Sequence, residues 1–302
     1  MSAGESMVAV IAGPTASGKS ALALALAEKL HGTIINADAS QLYVDLRILS
    51  ARPSAAEEAQ VPHRLYGVID GAEAANAARW AGMAKTAIAE VRAAGRLPIL
   101  VGGTGMYLAT LIDGIAPVPD IDAGVREAVR AMTTEAAARA LVAEDPAAAA
   151  RLGPTDRQRI LRALEVVRAT GRTLKDWQRA KEGGIGADMD VRAMVVEVPR
   201  EVLYARAETR LRAMAAAGAA EEAAALVARG LPGDRPVLRA LGVAEFAQVA
   251  AGTLDPETAI TAVAQETRHY QKRQSTWLRN QRPDWPRLAA GDIGAALALL
   301  TT

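Results

Sequence analysis

Gly13, Pro14, Thr15, Ala16, Ser17, Gly18, Lys19 and Ser20 follow the pattern G-x-x-x-x-G-K-[S/T], a spacing suited to holding phosphate. The glycines let the backbone turn so that successive N–H groups converge on phosphate oxygens. Lys19 adds a positive charge, and the Ser20 hydroxyl can ligate Mg²⁺. The pattern leaves open what the phosphate is attached to. Asp38, within "NADASQLY", is the second residue able to do chemistry. It follows an apolar run, and open α/β sheets place ligand-facing residues at the carboxyl ends of their strands. A carboxylate beside a phosphate can act as general base on an incoming nucleophile. Asp38 or Ser40 could equally cap a helix starting near "QLYVDL".

The elements that must position these residues alternate along the first part of the chain. "MVAVIAG" (7–13) and "GTIINAD" (32–38) read as buried parallel strands, and "RLPILVGGTG" (96–105) as a third strand running into a glycine turn. "SALALALAEKL" reads as a helix, as does "EAANAARWAGMAKTAIAEVRAAG", which Gly95 closes. Prolines and aspartates in "DGIAPVPDIDAG" break this alternation. Only helical segments follow as far as about residue 181, the clearest being "DRQRILRALEVVRATGRTLKDWQ". The strand-like "VRAMVVEVP" (191–199) then needs a sheet to join, and helices are expected from there to the end. We therefore expect an α/β fold, a P-loop NTPase-like parallel sheet core of residues 1–117 and 188–302, interrupted by an all-helical insertion of residues 118–187.

Composition narrows the chemistry. The 302 residues are 51% hydrophobic, enough for a sizeable core, and include no cysteine and three histidines. Disulfides, thiolate catalysis and cysteine-based zinc sites are excluded, which suits a reducing cytoplasm. The start "MSAGESMVAV" has no basic segment followed by a long apolar one, and no run is long enough to span a bilayer, so the expected location is cytoplasmic with no membrane partner. The net charge of +1 gives no global attraction for nucleic acid, so such a partner must meet local basic patches.

"GPTASGKS", "DASQLY", "PHRL", "LVGGTGMYL", "RILRALEV" and "KRQSTWLR" occur in this order, and together they resemble the tRNA dimethylallyltransferases over about residues 7–282. The resemblance implies transfer of a dimethylallyl group from dimethylallyl diphosphate to the exocyclic N6 amine of the adenosine adjacent to the anticodon, in tRNAs reading codons that begin with U. On that reading the loop 13–20 holds the diphosphate, Asp38 takes the amine proton, and Lys19, Arg210 and Mg²⁺ at Ser20 stabilise the leaving group. Thr104 matches a threonine near the target adenosine. From sequence alone, Arg210 could be an exposed helix arginine and "GGTG" a tight turn.

The implied partner is the tRNA anticodon arm, bound by a monomer. The candidate contacts are Asp38, Ala39, Ser40, Gln41 and Thr104 in the core; Arg126, Gln158, Arg159 and Arg162 in the insertion; and Lys272, Arg273, Gln274, Trp277 and Arg279 near the end. Both basic segments suit RNA phosphates, and Tyr270, Trp277 and Trp285 can stack on unpaired bases or fill core. The chain departs from the family pattern at Ser20, at Arg52 in place of a lysine, at Val243 in place of a tyrosine, and at "GPTDRQR". The phosphate loop by itself also allows a small-molecule kinase with the insertion as lid, or a non-catalytic nucleotide switch. A third alternative keeps the prenyl chemistry but uses free AMP as acceptor.

Overall fold

The strand Met7–Ala12 (β1) is apolar at successive positions, and every residue from Val8 onward is buried. That is what a parallel strand covered on both faces requires. Its partners are Gly32–Asn36 (β2), His63–Arg64 (β3), Leu97–Gly102 (β4), Asp190–Glu197 (β5) and Arg287–Ala289 (β6). They form one parallel six-stranded sheet in the order β3-β2-β4-β1-β5-β6. The structure is a computed structural model and describes residues 6–301; "MSAGE", on which part of the expectation about a leader rests, lies outside the described residues, as does Thr302.

Parallel pairing matters because it puts all the strand ends on one edge. Asn36 pairs with Val101, and Ala12 with Gly102, so β2, β4 and β1 stop at nearly the same level in adjacent positions. The residues that follow them are Asp38, Thr104 and the phosphate loop. The three strongest candidates therefore emerge side by side because the sheet is in register.

The helices of the core are Lys19–Lys29 (α1), Ala55–Gln60 (α2), Ala77–Ala93 (α3) and Gly105–Asp113 (α4). The first two packed layers meet in a core of Ile11, Leu22, Leu26, Ile34, Ile99, Val101 and Met194. On α3, Trp80 is wholly buried, its indole N–H donates to the carbonyl of Asn36 at 2.8 Å, and its ring stacks on Tyr107 at 4.9 Å. It ties the end of β2, and hence Asp38, to two helices. Trp80→Phe should cost about 2–3 kcal/mol by leaving that carbonyl short of a donor and the site underfilled, read as a lower denaturant midpoint at unchanged m.

Among the described residues, those up to Ile112 and from Gly186 onward form one compact unit, and Asp113–Ile185 a second. The second consists of Ala123–Arg130 (α5), Thr134–Glu144 (α6), Pro146–Ala149 (α7), Arg157–Thr170 (α8) and Leu174–Gln178 (α9) around Val129, Leu141, Ile160 and Leu164. Its ends are joined by reciprocal hydrogen bonds between Ile115 and Glu182, each at 3.0 Å. The single long helix expected over "DRQRILRALEVVRATGRTLKDWQ" is two, because Gly171 adopts the left-handed φ of 67° that closes α8 and Thr173 caps α9.

After β5 come Arg200–Ala216 (α10), Ala219–Ala228 (α11), Val243–Ala250 (α12), Pro256–Gln281 (α13) and, beyond β6, Ile293–Thr301 (α14). The expectation of helices alone to the end misses β6, just as "PHRL" conceals β3. Strands of three and two residues are too short to show an alternation. No helix among the described residues is long and apolar enough to cross a membrane.

Candidate active site

Between β1 and α1 the chain bends through two left-handed residues, Ala16 at φ 66° and Gly18 at φ 91°. A non-glycine in that region is uncommon, and such a turn at a helix N-terminus suits an anion; the Thr15 and Ser17 N–H groups are already donated, to Gln274 Oε1 and the Pro14 carbonyl. Lys19 Nζ donates to the carbonyl of Pro14 at 3.3 Å, so the ammonium lies folded back over the loop. Burial pushes its pKa down to about 8, with Arg210 adding to the effect and Asp38 opposing it.

That value sets a pH dependence. Below pH 8 the free enzyme carries Lys19 charged, and above it the ammonium is progressively lost. The affinity for a diphosphate ligand should therefore fall as pH rises through about 8, and a bound anion should itself hold the proton on. Isothermal titration with inorganic diphosphate at pH 7 and pH 9 checks this. Lys19→Arg, which stays charged, should abolish the dependence.

Arg210 reaches in from α10, and its Nη2 donates to Thr15 Oγ1 at 2.6 Å. Burial lowers its pKa, an effect the nearby Asp38 opposes. Its Nε is buried without a hydrogen-bond partner, as is the hydroxyl of Ser17. A buried guanidinium with a spare donor beside such a turn is arranged to receive an anionic ligand. Arg206 Nη1, one turn earlier, donates to the Ser17 carbonyl at 3.4 Å.

Asp38 is fixed from both ends. Its N–H donates to Asn36 Oδ1 at 2.8 Å, and the Asn36 amide donates to the carbonyls of Asp38 and Leu65. Its Oδ1 accepts from the N–H and the hydroxyl of Ser40, at 3.1 and 2.8 Å. The helix-cap alternative is thus partly realised, since Asp38 holds the short turn Ser40–Leu42 while remaining half-buried beside the cavity. Thr104 Oγ1 accepts from the N–H of Ala39 at 3.1 Å and shares a hydrogen bond with the Tyr270 hydroxyl. Burial and the charge of Asp38 push the phenols of Tyr270 and Tyr107 well above their ordinary value.

These groups surround a cavity of about 290 Å³. Thr15, Asp38, Ser40, Arg210 and Arg273 supply its polar wall, and Leu49, Leu211, Met214, Leu241 and Val263 its apolar one. An adjoining cavity, also lined by Arg210, is bounded by Ala16, Gly18, Lys19, Ser20 and Arg206 on one side and Ala290, Gly291 and Ile293 on the other. Gly13, Pro14 and Ser17 are buried within the loop itself.

Other expected residues lie elsewhere. The amide of Gln41 donates to the carbonyls of Ser50 and Ala51. Gln274 is 4% exposed and bonded to backbone at both ends of its amide, so it braces the core and is not presented to a partner. Trp277 is half-buried, with its ring lying where a Cβ on Gly105 would sit. Lys272 and Arg279 are exposed along a separate groove shared with Arg200 and Tyr204. In the helical unit Arg159 pairs with Asp156 at 3.1 Å and Arg162 with Glu165 at 3.7 Å, while Gln158 is exposed and Arg126 half-buried.

Of the departures, Arg52 donates to the carbonyl of Tyr43, and Val243 is buried in the first turn of α12. Sequence reasoning passed over Pro236, Arg239, Tyr107 and Thr267 of the cavity wall. Of these, Tyr107 lay inside the quoted motif "LVGGTGMYL".

A loop suited to an anion, a clamped carboxylate and a half-apolar cavity on the carboxyl edge of a parallel sheet define a phosphate-loop α/β enzyme of group transfer. The chain belongs to the IPP transferase family, whose model matches residues 41–281. It is 57% identical over 282 residues to the tRNA dimethylallyltransferase of Sphingopyxis alaskensis, covering 93% of this chain and 92% of that one. With the tRNA dimethylallyltransferase of Erythrobacter litoralis the identity is 53% over 292 residues, 95% of this chain and 92% of the other. Among solved structures, a tRNA isopentenylpyrophosphate transferase from Staphylococcus epidermidis superimposes with TM-score 0.68 at 28% identity, over 98% of each chain. A eukaryotic dimethylallyltransferase caught acting on tRNA gives 0.82 at 26%, over 96% of this chain and 75% of that one.

Proposed function

We propose that the chain transfers the dimethylallyl group of dimethylallyl diphosphate to the exocyclic N6 amine of the adenosine adjacent to the anticodon, in tRNAs reading codons that begin with U. The observation that carries this reading is the single cavity in which Thr15 and Arg210 of the anion end meet Asp38 and an apolar wall. A nucleoside triphosphate has no apolar tail to match that wall. An isoprenoid diphosphate has both an anion and a short hydrocarbon.

The diphosphate lies in the loop of residues 13–20, held by the N–H groups at the start of α1, Lys19 and the spare donor of Arg210. The adenosine N6 attacks the allylic C1; the C1–O bond breaks, its electron pair leaves with the diphosphate, and the N6 proton passes to Asp38. An aromatic amine is a weak nucleophile until that proton is being removed, so the base acts as the bond forms. With Oδ1 occupied by Ser40, Oδ2 is the accepting oxygen. Thr104 and its Tyr270 partner orient the base from the β4 side.

Mg²⁺ fits the residues present. No cluster of three carboxylate or histidine groups exists among the described residues, but magnesium bound through substrate phosphates needs only one or two protein oxygens and keeps its waters. The exposed Ser20 hydroxyl at the start of α1 would supply one. When bound, the ion adds charge neutralisation to the departing diphosphate.

Exposed cations give the RNA its grip: Arg159 and Arg162 with Gln158 and the half-buried Arg126 from the helical unit, and Lys272, Arg273 and Arg279 from α13. We infer a working monomer acting in the cytoplasm, alongside its tRNA substrate. Competition tests the assignment of the loop. Inorganic diphosphate should inhibit transfer competitively with dimethylallyl diphosphate, and millimolar ATP should leave the rate unchanged. Strong competition by ATP together with its hydrolysis would return the loop to a kinase reading.

A further inference from the structure

Helix α13 carries two glutamines, Gln271 and Gln274, on its buried face, 1% and 4% exposed. Three residues apart on a helix, they share a side and point at the same target, Thr15. The Thr15 N–H donates to Gln274 Oε1 at 2.9 Å, and the Thr15 carbonyl accepts from Gln271 Nε2 at 3.0 Å. With Arg210 on its hydroxyl, Thr15 is gripped at all three of its polar groups by residues from distant parts of the chain. The other end of the Gln274 amide does something different: Nε2 donates at 3.0 Å to the carbonyl of Gly103, the residue before Thr104.

One amide thus spans the gap between the diphosphate loop and the turn after β4. The space for it is cut by a missing side chain. A Cβ on Gly103 would lie 2.1 Å from Gln274 Nε2, although the backbone of Gly103 is not in the left-handed region and would accept another residue. Gly105 makes room in the same way for Trp277, one helical turn further along α13.

We infer that Gln274 is a positioning residue for the transfer, holding Thr15 and Gly103 apart by a fixed distance so that the prenyl C1 and the adenine N6 meet in line. This rests on the functional reading above. In that reading the donor is anchored on one side of the bridge and the acceptor on the other, and Gln274 touches neither. Losing the bridge leaves each half-site intact and spoils only their relation. Because reactivity falls steeply with misplacement on the scale of 1 Å, the effect belongs in kcat, not in either affinity.

The test is Gln274→Met, which keeps the length and apolar stem but removes both hydrogen bonds. Initial rates with both substrates varied should show kcat lowered roughly 10- to 100-fold. The KM values for dimethylallyl diphosphate and tRNA, and the affinity for inorganic diphosphate, should stay within about twofold of wild type, since no group touching either ligand is changed. An unchanged kcat overturns the inference. So does a raised KM for dimethylallyl diphosphate at unchanged kcat, which would make Gln274 only a fold determinant of the loop. Should Gln274→Met fail to fold, Gln274→Glu, which keeps an acceptor for the Thr15 N–H and loses the donor to the Gly103 carbonyl, must show the same split. A wild-type protein that transfers no prenyl group at all overturns the functional reading itself, and this inference with it, and is separated from the other outcomes by the wild-type control.

Discussion

Asp38→Asn should lower the rate of prenyl transfer about 10²- to 10⁴-fold, the range set by a positioned general base. Asparagine preserves the shape of the site: its oxygen can still accept from the Ser40 N–H and hydroxyl, which fix Oδ1 now at 3.1 and 2.8 Å. What it removes is a group able to take the N6 proton. Affinity for tRNA should therefore change little, because the exposed cations of α8 and α13 proposed to bind its phosphates are untouched. Equal losses in rate and in tRNA affinity would show that Asp38 only positions the adenosine. Asp38→Ala should be as slow and less stable, since Ser40 then loses its acceptor.

Arg210→Gln should cost about 10²- to 10³-fold in kcat, the scale seen when one preorganised donor to developing charge is deleted. The buried Nε without a protein partner, beside a loop suited to an anion, is the reason for expecting so much from one side chain. Its contribution grows as the C1–O bond lengthens and charge gathers on the departing diphosphate, so kcat should fall more than the affinity for inorganic diphosphate. Arg210→Lys should recover only part of the rate, because an ammonium cannot bond Thr15 Oγ1 and the ligand with the same geometry as a planar guanidinium. A loss confined to KM, with kcat intact, would reduce Arg210 to a binding residue.

Much of this was legible before the fold was known, and for a physical reason. The phosphate loop, Asp38 and Thr104 each follow an apolar strand, and runs such as "MVAVIA" and "LPILVG" announce parallel strands by being buried on both faces. Parallel register then brings their ends together without further information. Edge strands β3 and β6 were not legible, being too short for any period to show. Nor was the break at Gly171, where a glycine inside a helical pattern gave no sign of adopting a left-handed cap.

The partition of α13 is the most instructive case. "KRQSTWLR" reads from sequence as one basic, aromatic RNA surface, so Gln274 and Trp277 are naturally grouped with Lys272, Arg273 and Arg279. Helical geometry separates them: Lys272, Arg273 and Arg279 are exposed, while Gln271, Gln274 and Leu278 face the core. The glycines of "GGTG" explain why, but only once their missing Cβ atoms are seen to be filled by Gln274 and Trp277. The remaining wall of the cavity, Met214 from α10 with Arg239 and Leu241 from the turns before α12, comes from segments whose packing no local pattern encodes.

The most direct test of the central claim is to incubate the purified protein with radiolabelled dimethylallyl diphosphate, Mg²⁺ and unmodified tRNA reading codons that begin with U, with ATP hydrolysis followed in parallel. Label is expected in the tRNA, recovered after digestion as N6-dimethylallyladenosine, with release of one diphosphate per label and no ATP turnover above background. Hydrolysis of ATP with no label in the RNA would contradict the claim, and would mean that the loop of residues 13–20 holds a nucleotide.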